Sequence, residues 1–483
     1  MYHKHMKRTG SALIATLLAG ACLLPGCCHT GPRASRATGL RIGAAEIDIT
    51  PPVGYRMAGY FNERISTGVH DPLHAKAIVL QQGRDQLALV SCDLVGVQLS
   101  DTASARAQAS EHTGIPVSHI VICATHSHTG PLYEGALREY FHEAARKANG
   151  EDPQEKIDYS AFLTERLVKV IVAAEANLRP AQLQAGIAKQ EGLSFNRRYW
   201  MKNGKVVFNP GLLNPDIVRP AGPIDPDVGM LLARGIGAQE PFAGVTTFAV
   251  HSDTVGGTEF SADYEYFLEQ TLRRAFGGDY ISVFGLGTCG DINHINVNDK
   301  AAARPKFEIA EHIGSTLGQV VIEHAKDLPV ISHPALAARS TTLQVPLQEV
   351  TPEQVAEARK TMEQFYTTNV SFLIKVAAVR TLDLADRRAL YPMEVQVFRL
   401  DADTAIVCLP CEIFVELGLA IKQASPFKRT LVIEICNDRP SYVPTRKAFG
   451  EGSYEVTNAR VKPGGGEMLV DAAVKLLKQL KTE

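Results

Sequence analysis

Five short runs of apolar, mostly β-branched residues hand over to residues that can hold a metal or a proton, and the five are spread over most of the chain. Val121–Thr125 leads into His126-Ser127-His128, and Thr246–Val250 leads into His251. Val283–Gly287 leads into Gly290-Asp291-Ile292-Asn293-His294, Ala405–Leu409 into Glu412, and Leu431–Ile435 into Asn437-Asp438 and then Tyr442. Runs of this length, bounded by turn residues, read as buried strands, and amphipathic helical stretches lie between them. The alternation predicts an α/β chain: one large mixed sheet with helices packed on it. In open α/β sheets the ligand crevice lies outside the carboxyl ends of the strands, so the site is expected where these runs end.

Around these runs the pattern predicts helices over Ser261–Phe276, Lys306–Ala325, Thr351–Tyr366 and Glu467–Lys481, and a hairpin at Asn203-Gly204 between Tyr199–Lys202 and Lys205–Phe208. Gly464-Gly465-Gly466 reads as the entry turn of the last helix, since a phosphate loop would need a lysine and a serine that are absent. No repeat or low-complexity linker follows residue 40, and the change of pattern at Lys326–Pro334 does not separate two independent domains. A composition of 45% apolar and 21% charged residues excludes a disordered chain, and 50 basic against 52 acidic residues excludes a basic nucleic-acid binder.

The first residues read as an address. Lys4, Lys7 and Arg8 precede an apolar stretch from Ala12 to Pro25, too short to span a bilayer comfortably. Leu24-Pro25-Gly26-Cys27 resembles a bacterial lipobox, in which the cysteine is lipidated. The expectation is an exported protein with a signal over 1–27, a membrane anchor on Cys27, a flexible tether over 28–42 and a catalytic domain over 43–483. Cys92, Cys123, Cys289, Cys408, Cys411 and Cys436 lie in or beside apolar runs and read as small buried hydrophobes, although an oxidising compartment permits a bridge.

Two histidines and a glutamate, His126, His251 and Glu412, supply the nitrogen and carboxylate ligands that Zn²⁺ prefers and leave a position for water. Their long separations suit a catalytic metal, because structural zinc sites bring ligands in close pairs. Either histidine alone would read as a strand-end residue satisfying local hydrogen bonds; the His-x-His pair and the acidic strand end favour a metal. Arg197-Arg198, beside Tyr199 and Trp200, reads as a solvated turn or as a clamp for a carboxylate or phosphate.

The motifs together resemble the neutral/alkaline, non-lysosomal ceramidase family. Ala44–Pro52 with Gly54 and Met57-Ala58-Gly59-Tyr60 is similar to its opening segment, and Ala124–Pro131 to its Thr-His-x-His-x-Gly-Pro motif. Phe248–His251, Ser261-Ala262-Asp263, Gly290-Asp291, Leu409–Glu412 and Tyr442–Thr445 fall in the same order. The resemblance implies an amide hydrolase with a lipid or other small-molecule amide substrate. It also implies one zinc on His126, His251, Glu412 and Tyr442, with His128 and Tyr454 on the scissile carbonyl. Asn196-Arg197 matches the start of an Asn-Arg-Ser-Pro segment whose arginine lines the family's site. Two departures stand out. Asn293 occupies the place of a serine regarded as essential, and an amide cannot act as a nucleophile there, although it can hydrogen-bond substrate or water. The sequence stops soon after the last helix, so a counterpart of the family's C-terminal β-sandwich is expected to be missing. Hydrolysis of an ester or of a peptide- or glycan-linked bond, and a binding protein without catalysis, therefore stand beside the amidase reading.

Overall fold

The computed structural model describes residues 39–300, 306–365 and 370–483. The proposed signal and Cys27 lie outside the described residues. Residues 39–483 form one compact unit. Its largest sheet has eight strands: β1 (Arg41–Asp48), β2 (His74–Gln82), β3 (Asp85–Cys92), β4 (Ile120–Ala124), β5 (Arg179–Lys189), β6 (Asp227–Gly235), β7 (Pro241–Phe248) and β8 (Ile281–Leu286). They run in the order β8-β7-β6-β5-β1-β2-β3-β4, with β3/β4 and β7/β8 parallel and the other pairs antiparallel. A second sheet not foreseen as separate holds β9 (Ala337–Pro346), β10 (Leu390–Arg399), β11 (Thr404–Cys408) and β12 (Arg429–Ile433), with only β11/β12 parallel.

The strands read as continuous apolar runs because both faces are covered. Along β2, Ala75, Ala77 and Val79 point into one core with the helices Leu99–Thr113, Tyr159–Ala176, Tyr264–Phe276 and Lys306–His324. Ile78 and Leu80 point the other way, into a core shared with Phe398, Ile406, Leu431 and Ile433 of the second sheet. The far face of that sheet, with Val395, Val397, Val407 and Val432, packs on Leu417 and Ile421 of the helix Val415–Ala424 and on Leu469, Ala473 and Leu477 of Gly465–Thr482. The result is four layers, helix–sheet–sheet–helix. The segment Lys326–Pro334 is where the chain leaves the first sheet for the second.

Two halves of the large sheet are joined by only two residue pairs, Arg41↔Pro180 and Ile42↔Arg179, so its outer strands can approach each other. Ser91 Oγ of β3 donates to the Phe284 carbonyl of β8 at 2.6 Å. The segment after β12 then ties the two edges: Glu434 N donates to Leu286 O at 2.8 Å, and Ala124 N to Ile435 O at 3.2 Å. Strand ends that are remote in sheet order thereby meet.

The four predicted helices are present as Tyr264–Phe276, Lys306–His324, Pro352–Glu363 and Gly465–Thr482, and the hairpin as Arg198–Met201 paired with Val206–Phe208. The helices Leu99–Thr113, Gly135–Asn149, Tyr159–Ala176 and Phe372–Ala385 were not among those predicted. Lys306–His324 packs closely on Tyr264–Phe276 through Gly314, where a Cβ would lie 2.2 Å from Tyr264 O. Alanine in a helix ordinarily stabilises over glycine by about 1 kcal/mol. Here overpacking is expected to reverse the sign, so that Gly314→Ala loses about 1–3 kcal/mol in urea unfolding.

Candidate metal centre

His126 and His251 project from the ends of β4 and β7, and their Nε2 atoms lie 3.2 Å apart. Glu412 Oε2 is 3.4 Å from His126 Nε2 and 3.7 Å from His251 Nε2, and Tyr442 Oη is 3.5 Å from His251 Nε2. Glu412 and Tyr442 are direct partners in a short parallel pair, Glu412–Ile413 with Tyr442–Val443. A carboxyl from the end of β12 braces that pair, since Glu434 Oε2 accepts from Ile413 N at 2.6 Å. All four residues are buried.

Hydrogen bonds fix which nitrogen faces inward. His126 Nδ1 meets the Val95 carbonyl at 2.6 Å and His251 Nδ1 the Cys289 carbonyl at 2.9 Å. A carbonyl only accepts, so each Nδ1 carries a proton, and in the neutral ring Nε2 is the nitrogen that presents a lone pair. Burial, with the nearby Arg197 and His126, holds His251 down to about 4, so the ring is neutral at ordinary pH. Glu412 Oε2 is buried without a hydrogen-bond partner. Ring nitrogens and a carboxylate oxygen thus face one another, with only the Tyr442 hydroxyl and the His128 ring beside them as groups able to donate, an arrangement that suits a cation.

The spacing fits one. Four ligands on bonds of about 2.0–2.1 Å in tetrahedral array stand about 3.3–3.4 Å apart. The distances above bracket that value. A second trio, His126, His128 and His251, has nitrogens all within 4.8 Å of one another, and His128 Nε2 is 3.3 Å from His126 Nε2. Yet His128 Nδ1 is buried without a partner. Metal-bound histidines almost always donate the other N–H to an acceptor, as His126 and His251 do and His128 does not. The residues present therefore fit a metal on His126, His251, Glu412 and Tyr442, with His128 beside it.

Backbone strain concentrates here. Of the eight non-glycine residues described with positive φ, five are at or next to the site: His126 (70°), Cys411 (74°), Ile435 (54°), Asn437 (63°) and Ser453 (81°). Such conformations cost of order 1–3 kcal/mol each, and a β-branched residue such as Ile435 is a true outlier. They re-aim the chain after β4, β11 and β12 so that their first polar side chains turn inward.

The other expected site residues divide. His128 and Tyr454 line a cavity of about 530 Å³ together with His126, Glu412 and Tyr442. Arg197 and Asn293 do not line it. Arg197 and Arg198 are buried, which corrects the reading as a solvated turn. Arg197 donates from Nε to Glu455 Oε1 (2.9 Å) and from Nη2 to Gly290 O (2.8 Å) and Tyr442 Oη (3.2 Å), so the carboxylate it clamps is the chain's own. Arg198 faces Glu451 and Glu455. Asn293 uses both ends of its amide internally, donating to Asn209 Oδ1 and accepting from Ile295 N, each at 3.0 Å. The six cysteines among the described residues are buried and unbridged.

Sequence reasoning missed Arg439. Its Nη1 is 3.3 Å from Glu412 Oε1 and its Nη2 is 3.5 Å from Glu134 Oε1. It lies two residues beyond Asn437, and the strand-end rule extended to Pro440 would have found it. Burial raises Glu134, also a cavity residue, to about 7, a value suited to proton exchange near neutral pH.

Residues 40–262 match the family described as neutral/alkaline non-lysosomal ceramidase, N-terminal. The fold is similar to that of the neutral ceramidase from Pseudomonas aeruginosa, with a TM-score of 0.70 and 18% identity over 92% of this chain and 76% of that one. A ceramidase complexed with C2 gives 0.69 and 18% over the same shares. No curated protein matches the chain by sequence.

Proposed function

We propose that this chain, whose residues 40–262 carry the neutral ceramidase signature, is an exported, zinc-dependent hydrolase of an amide bond in an N-acyl substrate. The observation that carries the reading is the convergence of two imidazole lone pairs, an unpartnered carboxylate oxygen and a phenol at tetrahedral ligand spacing. His126, His251, Glu412 and Tyr442 would hold the ion. Bound there, zinc supplies a water acidified to near neutral pH and a Lewis acid for a carbonyl.

The chain's own residues would do the rest. Val95 O and Cys289 O keep the two histidines in the ligating tautomer. Arg439 holds the outer oxygen of Glu412 and leaves Oε2 turned inward. His128 is held neutral by burial and by His126, and no backbone acceptor dictates its tautomer, so it is free to donate to an oxyanion. Tyr454 would donate from the same cavity. The proposed export rests on Lys4, Lys7, Arg8 and the apolar run before Cys27.

The test is metal content and amide hydrolysis measured together. Purified protein is expected to hold one zinc per chain. His128→Ala is expected to keep that metal and lose about 10²–10³ in kcat, the scale of one oxyanion donor. Loss of the metal in His128→Ala would instead make His128 a ligand, and retention of full activity would remove it from the reaction.

A further inference from the structure

One buried side chain beneath the proposed ligands ties the end of β4 to the end of β7. Ser252, next to His251, donates from Oγ to the carbonyl of Thr125 at 2.7 Å, and Thr125 precedes His126. The Ser252 carbonyl accepts from His128 N at 3.0 Å. Ser252 thus holds both sides of the His126–His128 turn against His251, and Ser252, Thr125 and His251 are all fully buried.

The same Oγ lies 2.5 Å from Oε1 of Glu265, in the first turn of the helix Tyr264–Phe276. A hydroxyl has one hydrogen, and a carbonyl only accepts. If Ser252 spends its hydrogen on Thr125 O, the contact with Glu265 is a bond only when the carboxyl carries a proton and donates it. If Ser252 donates to an ionised Glu265 instead, its oxygen and Thr125 O stand 2.7 Å apart with no hydrogen between them. Only the first allocation makes bonds of both contacts. The surroundings agree with it. Glu265 is buried and its Oε2 has no hydrogen-bond partner, so an ionised carboxyl would leave charge unpaired in the interior. Burial, with Asp263 close by, pushes the Glu265 carboxyl well above its usual range.

Resting on the metal-centre reading, we propose that Ser252 and Glu265 are positioning residues: Glu265, as a neutral acid, donates to Ser252 Oγ, and the serine so oriented clips the ends of β4 and β7 at the spacing the ion needs. That spacing is the 3.2 Å between the Nε2 atoms of His126 and His251. A neutral Glu265 also adds no second negative charge beneath a centre that already holds Glu412.

Two measurements on the full chain decide it. The infrared difference between zinc-free wild type and Glu265→Gln at neutral pH is expected to show the carbonyl stretch of an un-ionised carboxylic acid, and carboxylate bands in its place overturn the proposal. Zinc affinity, read by competition with a chelator, is expected to fall about 10–100-fold in folded Ser252→Ala, the scale for an outer partner of a metal ligand. Glu265→Leu, which offers no donor, should fall with it. Glu265→Gln should stay near the wild-type value, because its amide N–H donates to Ser252 Oγ as the acid does. Side chains that served the fold alone would lower the urea midpoint and leave the zinc affinity of the folded protein unchanged, and that result overturns the proposal, as does a weakened affinity in Glu265→Gln. Should Ser252→Ala and Glu265→Leu fail to fold, the acid band and the affinity of Glu265→Gln still decide. Wild type that binds no zinc sinks the metal-centre reading instead, and the infrared band then judges the hydrogen bonds alone: its presence upholds the neutral Glu265 and its absence sinks it.

Discussion

His251→Ala is expected to yield a folded protein that retains close to no metal and hydrolyses no amide at a measurable rate. The ring is fully buried, and its Nε2 lies 3.2, 3.5 and 3.7 Å from the three other proposed ligand atoms. Taking it away leaves His126, Glu412 and Tyr442, and no other imidazole with a backbone acceptor on its second nitrogen stands ready to replace it. Loss of an outer partner costs roughly 10–100-fold in metal affinity or activity, and loss of a ligand should exceed that. The fold should persist, because the strands that carry the site are held by cores on both faces. Atomic absorption on the dialysed variant, read beside its unfolding curve, checks both halves. Undiminished zinc in folded His251→Ala would remove the centre as described. The contrast with His128→Ala, expected to keep its metal, separates a ligand from a neighbour of ligands.

What the sequence made legible follows from which contacts are local. A strand covered on both faces must be apolar at every position, so β4, β7, β8, β11 and β12 announced themselves, and the polar residues just beyond them marked where the chain turns toward solvent or a site. His126, His251 and Glu412 were readable for that reason, whereas Tyr442 entered the ligand set through the family resemblance. The surroundings of an arginine are not local. Arg197 looked like part of a solvated turn because Glu455, its partner, lies 258 positions away. Asn293 invited a substrate contact, and the turn at Ile295 and the distant Asn209 take both ends of its amide. The helix Phe372–Ala385 escaped because its first residues, Phe372, Leu373 and Ile374, are apolar yet 44–54% exposed, which blurs the 3.6-residue period. The second sheet was read only in part: β11 and β12 are plain apolar runs, whereas β9 is half exposed and alternates weakly.

The same separation between local and distant information bears on catalysis. On the proposed function, with Asn293 where the family that the sequence resembles has a serine, the attacking group would come from water, and the residues that converge are those that could acidify and aim it. The strained turns at His126, Cys411 and Ile435 hold these residues in place, which explains why conformations costing of order 1–3 kcal/mol each are tolerated where three strand ends meet. Stability is lent by the four-layer core to the one place that needs fixed geometry.

Arg197 should prove to be a positioning residue with a large stability effect. Among the described residues it is the one guanidinium that touches both Glu455, whose side chain is fully buried, and the Tyr442 hydroxyl. Burial, Glu412 and Tyr454 push the Tyr442 phenol well above its usual range, and Arg197 is the cation that opposes them. Arg197→Ala leaves Glu455 facing only the more distant Nε of Arg198 at 3.4 Å. Breaking a buried pair on one side costs about 3–5 kcal/mol, so the denaturation midpoint should fall steeply. Removing Glu455 as well relieves the uncompensated charge, and the double variant should be more stable than Arg197→Ala. Arg197→Lys keeps a charge against Glu455 but has no planar fork to reach Gly290 O and Tyr442 Oη together. It should recover part of the stability while zinc affinity stays about 10–100-fold down, a split that a purely structural arginine would not produce. An Arg197→Ala protein with an unchanged unfolding midpoint, or one in which only KM rises, would show instead that this arginine meets the substrate.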